Sequence, residues 1–347
     1  MREPVLLHVI TKNGKGYAPA ESRPSSFHGV GRFDPETGLC SKSSDQNFSQ
    51  TFGETICGLA DVDQRVCAIT AAMETGTGLS AFASKHPDRF FDVGIAEGHA
   101  VCMAAGLAKQ GMIPVFAVYS TFLQRSYDML LHDIGLLGLH VVLAVDRAGL
   151  VGEDGETHHG VFDVAYLSQV PGMQILCPAS QAELRCMLRT AVLECTGPVA
   201  VRYPKGSDGL YKDEMWTDRI TENSALTVVT YGTTVNTVLE ATEALLKDGI
   251  QIDLIKMDQI CPMQADSVSD SVKKTGKLLV VEEVMAPGCV GERLTAKLFL
   301  QGLFCKTALL NLGEAYAPHG DLTSLRRLAG IDREAVYQKA KELLYEE

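Results

Sequence analysis

The sequence predicts an α/β protein of two consecutive domains, each a mainly parallel sheet flanked by helices. Three observations predict it. Short apolar runs recur without the polar alternation of a half-wet strand, as expected where both faces of a sheet are covered. Segments with helical spacing of apolar residues separate those runs. The alternation is interrupted once, by a polar, turn-rich stretch at residues 204–223 containing Pro204-Lys-Gly-Ser-Asp-Gly209, and then restarts.

Residues 5–11 read as a strand, followed by the turn Asn13-Gly-Lys-Gly-Tyr17. Residues 18–48 are polar, carry Pro19, Pro24 and Pro35, and show little periodicity, which marks a linker or a functional segment. From about residue 49 the alternation begins. Strands are expected at 66–73, 90–93, 113–118, 140–145, 174–177 and 199–201, with helices at 96–109, 122–136 and from 181. Ser180, with Glu183 three residues on, predicts a capping box at the start of the last helix. Beyond the interruption, strands are expected at 226–230, 252–255, 277–281 and 307–310, with helices at 235–246, 291–299 and from 322. The expected divisions are therefore 1–48, 49–215 and 216–347.

Composition narrows the function. A chain of 347 residues, 46% hydrophobic and 21% charged, folds rather than staying disordered. Its 31 basic and 43 acidic residues leave a net charge of −12, which repels a phosphate backbone and argues against a general nucleic-acid role. Local basic residues can still hold a small phosphate. The ten cysteines contain no Cys-x-x-Cys and no zinc spacing. Several sit in apolar runs, Cys67, Cys102 and Cys177 among them, so reduced, buried thiols in a cytoplasmic protein are expected. The first ten residues hold too short an apolar run for a signal peptide. No stretch approaches the roughly 20 apolar residues of a membrane helix. No Gly-x-Gly-x-x-Gly opens a helix, so a nicotinamide enzyme is not supported.

Three loops after strands of the first domain carry more polar groups than a scaffold needs, at the end of the sheet where ligands gather. In Asp92-Val-Gly-Ile-Ala-Glu97-Gly-His99, Glu97 falls where a strand becomes a helix. It either complements the helix dipole or stands near a ligand base. In Tyr119-Ser-Thr-Phe122-Leu-Gln-Arg125, Ser120 or Thr121 can cap the following helix. Phe122 and Arg125 share a face there, offering a stacking surface and a charge, or simple core packing. The run from Asp146 and Arg147 through Gly149, Gly152, Asp154 and Gly155 to Thr157-His158-His159-Gly160 is glycine-punctuated and charged. It is either a solvated loop or one whose backbone approaches a ligand closely. Its paired histidines are a weak metal signal, because adjacent residues seldom point at one ion.

Those strings, with Val201-Arg202-Tyr203-Pro204, Gly14-Lys-Gly-Tyr17, Phe27-His28, Phe33-Asp34-Pro35 and Pro318-His319-Gly320, resemble the 1-deoxy-D-xylulose-5-phosphate synthases, transketolase-like thiamine-diphosphate enzymes. The resemblance spans nearly the whole chain. It implies a pyrimidine-binding domain at 49–215 and a transketolase C-terminal-like domain at 216–347, with 1–48 the tail and linker of a first domain. It implies a transferase that joins pyruvate and glyceraldehyde 3-phosphate with loss of carbon dioxide, for isoprenoid, thiamine and pyridoxal precursors. Glu97 would share a proton with N1′ of the cofactor's aminopyrimidine, so that the ring's amino nitrogen can deprotonate the thiazolium. Phe122 would stack on that ring, and Tyr17 matches a cofactor-binding tyrosine. Arg147 and Arg202 match residues that hold the substrate phosphate, where a planar guanidinium suits the oxygens. Arg125, Asp154, His158, Tyr119 and His28 match active-site positions serving carboxylate recognition and proton transfer.

Two departures stand out. Gly98 replaces a glutamine common in the family. The chain also holds no Gly-Asp-Gly, the family's diphosphate-binding string. The ligands of magnesium and most diphosphate contacts are therefore expected in a separate diphosphate-binding domain, and none here. The chain alone is expected to be inactive, and to act as a homodimer or in complex with that domain. The alternatives are the C-terminal subunit of a transketolase and a non-catalytic paralogue. Arg147, Asp154 and His158 favour the synthase over the first, and Glu97 with Phe122 argue against the second.

Overall fold

The computed structural model describes residues 3–27, 30–31, 33–39 and 46–345, which form two compact units divided between residues 46 and 47. The first unit holds a short helix, Ala18–Ser22, and a 3-10 turn, Pro24–Phe27. Tyr17, Phe27 and Phe33 pack against one another with ring centroids 5.3–5.9 Å apart. The strand expected at residues 5–11 is not formed, and Leu6 and Ile10 are 95% and 85% exposed. An apolar run becomes a strand only where another backbone takes up its N–H and C=O groups, and no described residue pairs with this one.

The second unit opens with a helix, Phe48–Val62, that is not among the expected elements. Its signal is nevertheless there: Asn47 and Gln50 form a reciprocal capping box, and Phe48, Phe52 and Ile56 line one buried face. Strands β1 (Val66–Thr70), β2 (Phe90–Asp92), β3 (Ile113–Tyr119), β4 (Val142–Asp146), β5 (Gln174–Leu176) and β6 (Val199–Arg202) follow. After the polar stretch come β7 (Thr227–Tyr231), β8 (Asp253–Met257), β9 (Gln259–Cys261), β10 (Lys277–Val281) and β11 (Lys306–Leu310). The first sheet has the order β2-β1-β3-β4-β6-β5-β9 and is parallel except for β9, which adds antiparallel to β5. The second sheet, β11-β10-β7-β8, is parallel throughout.

Successive strand residues explain the unbroken apolar runs. Val115 and Ala117 face one core with Phe52 and Leu184, while Phe116 and Val118 face another with Ala104 and Leu130. Both faces are covered, so neither tolerates a polar alternation. The second of these cores continues through Val229, Ile255 and Val280 of the other sheet, joining the two sheets by a shared apolar interior.

Four local expectations are corrected. The helix expected at 122–136 is helical but segmented: Ser120–Leu123, a 3-10 turn, Tyr127–Met129, and a π-turn at Leu130–Gly135. Gly135 packs so closely on Val170 that a Cβ would come within 2.6 Å of its Cγ1. The helix from 322 breaks into Leu322–Leu328 and Arg333–Tyr345 at Gly330, which adopts φ +67°. Only half of the capping box at Ser180 forms: Ser180 accepts from the Glu183 N–H, but the Glu183 carboxylate accepts from Ala179 N instead. Cys67 and Cys177 are buried, which pushes their thiols up to about 11 and about 12. Cys102, by contrast, is exposed and donates to Asp133 at 2.9 Å, a bond that raises its thiol to about 11.

Candidate active site

All three charged loops leave the C-terminal ends of parallel strands of one sheet, β2, β3 and β4, with Arg202 at the same end of β6. The topology thus sets residues far apart in sequence along one sheet edge, where an open α/β sheet receives ligands.

Glu97 is the first residue of the helix Glu97–Lys109 and is 4% exposed. Its Oε1 accepts from Arg125 Nη1 at 2.6 Å. The Arg125 side chain is itself half exposed, and its guanidinium carbon lies 4.9 Å from the centre of the Phe122 ring. Phe122 stacks beside Tyr119 at 5.8 Å and meets the edge of His158 at 5.3 Å. Gly98 lets the helix approach the next segment, since a Cβ there would come within 2.7 Å of Met129 Cε. His99 is exposed. Neither Ser120 nor Thr121 caps the helix that follows β3. The Ser120 hydroxyl is buried without a partner among the described residues, and Thr121 donates to the Thr157 carbonyl at 2.9 Å. That bond ties the Phe122 segment to the histidine loop.

Arg147 holds a left-handed backbone, φ +57°, a strained conformation for a residue with a side chain. Its Nη1 donates to Asp146 Oδ2 at 2.8 Å, to Gly76 O at 2.8 Å and to Ser49 Oγ at 3.1 Å. The guanidinium lies 3.9 Å over the Tyr119 ring. Burial pushes the Asp146 carboxyl above the usual carboxylate range, against the pull of Arg147. Burial likewise raises the Tyr119 hydroxyl. Arg202 is 7% exposed and donates to Asp163 at 2.7 Å and to Gly160 O at 3.2 Å. Burial, the largest single influence, opposes its charge, but Asp163, Tyr231 and Cys177 together hold the guanidinium above its ordinary pKa. Asp146 and Asp163, each fully buried under an arginine, were not among the residues the sequence singled out for these roles.

The loop between them is clamped. Gly149 and Gly160 exchange backbone hydrogen bonds of 2.7 and 2.8 Å. A Cβ on Gly160 would sit 2.2 Å from the Arg147 carbonyl, so only glycine fits. Glu283 accepts from Leu150 N at 2.8 Å and from Arg326 Nε at 2.7 Å. His159 accepts from Val151 N at 3.2 Å through Nδ1 and donates from Nε2 to Pro318 O at 3.1 Å. His319 Nε2 bonds the Glu153 carbonyl at 3.1 Å. The string Pro318-His319-Gly320 is therefore a latch on this loop. Both ring nitrogens of His159 are thus occupied by backbone partners, and the histidine pair does not converge. Among the described residues, no group of three or more His, Cys, Asp or Glu is placed to hold a metal.

His158 stays near the Phe122 ring, its Nδ1 3.0 Å from Thr157 Oγ1. Asp154 pairs with Lys205 at 2.6 Å. Tyr17 belongs to the first unit, where its hydroxyl donates to the Pro35 carbonyl at 2.9 Å. His28 lies outside the described residues. A cavity of about 980 Å³ lies away from these loops, between β5 and β8, beside Trp216, Glu183 and Lys256. Its lysine is buried and neutralised by Glu183 at 3.0 Å and by Asp258, an arrangement that joins the two domains.

Residues 44–208 match the pyrimidine-binding domain of transketolase, and residues 217–336 match the transketolase C-terminal domain. The chain is 42% identical over 352 residues to 1-deoxy-D-xylulose-5-phosphate synthase of Heliobacterium modesticaldum, covering 99% of this chain and 54% of that protein. It is 43% identical over 347 residues to the synthase of Desulforudis audaxviator, covering 97% and 55%. The chain thus spans about half the length of the curated relatives it matches. Among solved structures, a split-gene transketolase described as an inactive β4 tetramer aligns with a TM-score of 0.76 at 23% identity, covering 87% of this chain and 99% of that one. A transketolase from Campylobacter jejuni gives 0.71 at 16%, covering 87% and 47%. These two likenesses establish the fold.

Proposed function

This chain belongs to the transketolase family, and from that premise we propose that it is the part of a 1-deoxy-D-xylulose-5-phosphate synthase carrying the activating carboxylate and the substrate-phosphate arginines. The observation that carries this reading is Glu97: a buried carboxylate, at a sheet edge built for ligands, met by a single movable cation beside an aromatic face. That donor set fits an aminopyrimidine. It does not fit magnesium, for which the described residues offer no cluster. We place the metal and the diphosphate on a separate diphosphate-binding domain, in the half of the relatives' length that this chain does not span.

When bound, thiamine diphosphate supplies a thiazolium carbon acid that serves as the nucleophile toward a 2-oxo acid. Glu97 holds a proton at N1′ of the aminopyrimidine and so biases its tautomer. Phe122 stacks on the ring, and Tyr17 adds to the cofactor contacts. Arg147 and Arg202 hold the phosphate of glyceraldehyde 3-phosphate. Their buried aspartate partners fix both guanidinium groups in advance, so little side-chain freedom is lost on binding. Arg125, Tyr119, His158, Asp154 and His28 serve, between them, recognition of the pyruvate carboxylate and proton transfer. The pyrimidine-binding and C-terminal domains occupy 49–215 and 216–347, with 1–48 leading in from the diphosphate-binding domain. The active assembly is a homodimer or a complex with that domain. The nine cysteines among the described residues are free thiols, which suits the reducing cytoplasm.

The test mixes this chain with a purified diphosphate-binding domain of a relative, thiamine diphosphate and magnesium, and follows pyruvate decarboxylation and the phosphorylated product. Turnover is expected only in the mixture, and Glu97→Ala should lower it by about 10²–10⁴-fold. Turnover with a ketose phosphate donor but not with pyruvate would move the assignment to transketolase. A mixture with no turnover, or one indifferent to Glu97→Ala, would reject the enzyme reading.

A further inference from the structure

Among the arginines of the site, Arg125 is the loose one. Arg147 and Arg202 each hold several fixed acceptors, whereas Arg125 hydrogen-bonds only Glu97 among the described residues. Its side chain is 52% exposed, against 4% for its partner. A guanidinium is a planar cation with N–H donors along its edge and faces that stack on aromatic rings. An aminopyrimidine protonated at N1′ is likewise a planar cation with an N–H donor at its rim and faces that stack. Arg125 uses that likeness in full: its edge is on Glu97 at 2.6 Å and its plane is beside Phe122 at 4.9 Å. A ring that stacks on Phe122 and puts an N–H on Glu97 needs the space the guanidinium fills.

We propose that Arg125 is a placeholder for the cofactor's aminopyrimidine, held on Glu97 and Phe122 until the ring displaces it, and thereby freed to receive the carboxylate of the 2-oxo acid. The proposal rests on the reading of Glu97 and Phe122 given above, and it makes Arg125 a positioning residue that orders binding. While Glu97 holds it, the one movable cation of the site is spent on an internal carboxylate. Once the ring takes Glu97, the cation is released beside the reacting atoms. Cofactor therefore precedes the anionic substrate. A half-exposed ion pair contributes little, so the displacement costs up to about fivefold in affinity and no more. That is small enough for a ring to overcome.

The experiment uses the full chain and two probes: 4-amino-5-hydroxymethyl-2-methylpyrimidine, the free ring of thiamine, and pyruvate. Binding is read by ligand-observed magnetic resonance, with circular dichroism to confirm folding. Arg125→Ala should bind the ring about two- to fivefold more tightly than the wild type. The same change made on Glu97→Gln, which no longer forms the ion pair, should give no further gain. In the wild type the ring should strengthen pyruvate binding, and in Arg125→Ala that coupling should vanish. Arg125→Met retains the aliphatic stem and serves if the alanine variant is unstable. Equal or weaker ring binding in both Arg125 variants, or ring–pyruvate coupling that survives them, overturns the placeholder. If Glu97→Ala and Phe122→Ala leave ring binding unchanged, the site reading itself has failed. If they abolish it while the Arg125 variants do not improve it, only the placeholder has failed.

Discussion

The C-terminal edges of the two sheets bury glutamates in opposite ways. At the second sheet, Glu282 follows β10 and is fully buried. Its carboxylate accepts from Val290 N at 2.9 Å, Gly291 N at 2.8 Å and the Tyr231 hydroxyl at 2.8 Å. Two of those donors are the first N–H groups of the helix Val290–Leu300, which otherwise lack intrahelical partners. Its neighbour Glu283 is equally committed, to Leu150 N and Arg326. At the first sheet, Glu97 is met by one half-exposed arginine. Burial alone does not distinguish these carboxylates; the mobility of the donor does. A carboxylate satisfied by backbone and packed hydroxyls is scaffold. One satisfied by a side chain that can leave retains an acceptor for a ligand.

The comparison can be broken most forcefully at Glu282. Glu282→Ala strands two buried N–H groups and a buried hydroxyl, so it should lower stability by about 3 kcal/mol or more in urea denaturation. It should leave the affinity for the free aminopyrimidine unchanged. A smaller effect is expected at Gly149, where φ is +85° and a Cβ would sit 2.6 Å from Glu283 Oε1. Gly149→Ala should cost about 1–3 kcal/mol by the same measurement, because both the backbone and the carboxylate must shift. That variant also sharpens the comparison. If Glu283 is scaffold that clamps the arginine loop, loosening it should weaken phosphate binding at Arg147 more than ring binding at Glu97.

Most of the architecture was legible because a parallel sheet covered on both faces leaves a strong signal. Runs such as 113–118 and 277–281 are apolar throughout and carry few alternatives. What was illegible depended on distant partners. Residues 5–11 have the composition of a strand, but no backbone among the described residues pairs with them. β9 is three residues long and takes its register from β5, some eighty positions earlier in the chain. The segmented helix expected at 122–136 packs its Met129 on Gly98 and its Gly135 on Val170, distant partners that its own periodicity does not encode.

The site divides in the same way. Glu97, Phe122 and Arg147 were legible as candidates because each lies in a polar loop that follows a strand, whereas Arg202 came only from the family resemblance. The aspartates beneath the two arginines were harder, although Asp146 adjoins Arg147 directly. Asp163 stands 39 residues from Arg202, and no local pattern links them. The latch from Pro318 onto His159 spans 159 positions. The string around it was visible in the sequence, but its task was not.

The most direct test of the central claim is Glu97→Gln, assayed for both stability and turnover in the presence of a diphosphate-binding domain and cofactor. The side chain keeps its volume and loses only its charge, and its one hydrogen-bond partner among the described residues is half exposed. The expected result is stability within about 1 kcal/mol of the wild type together with a loss of turnover of about 10²-fold or more. A marked loss of stability with turnover retained would place Glu97 with Glu282 among the scaffold carboxylates and contradict the account.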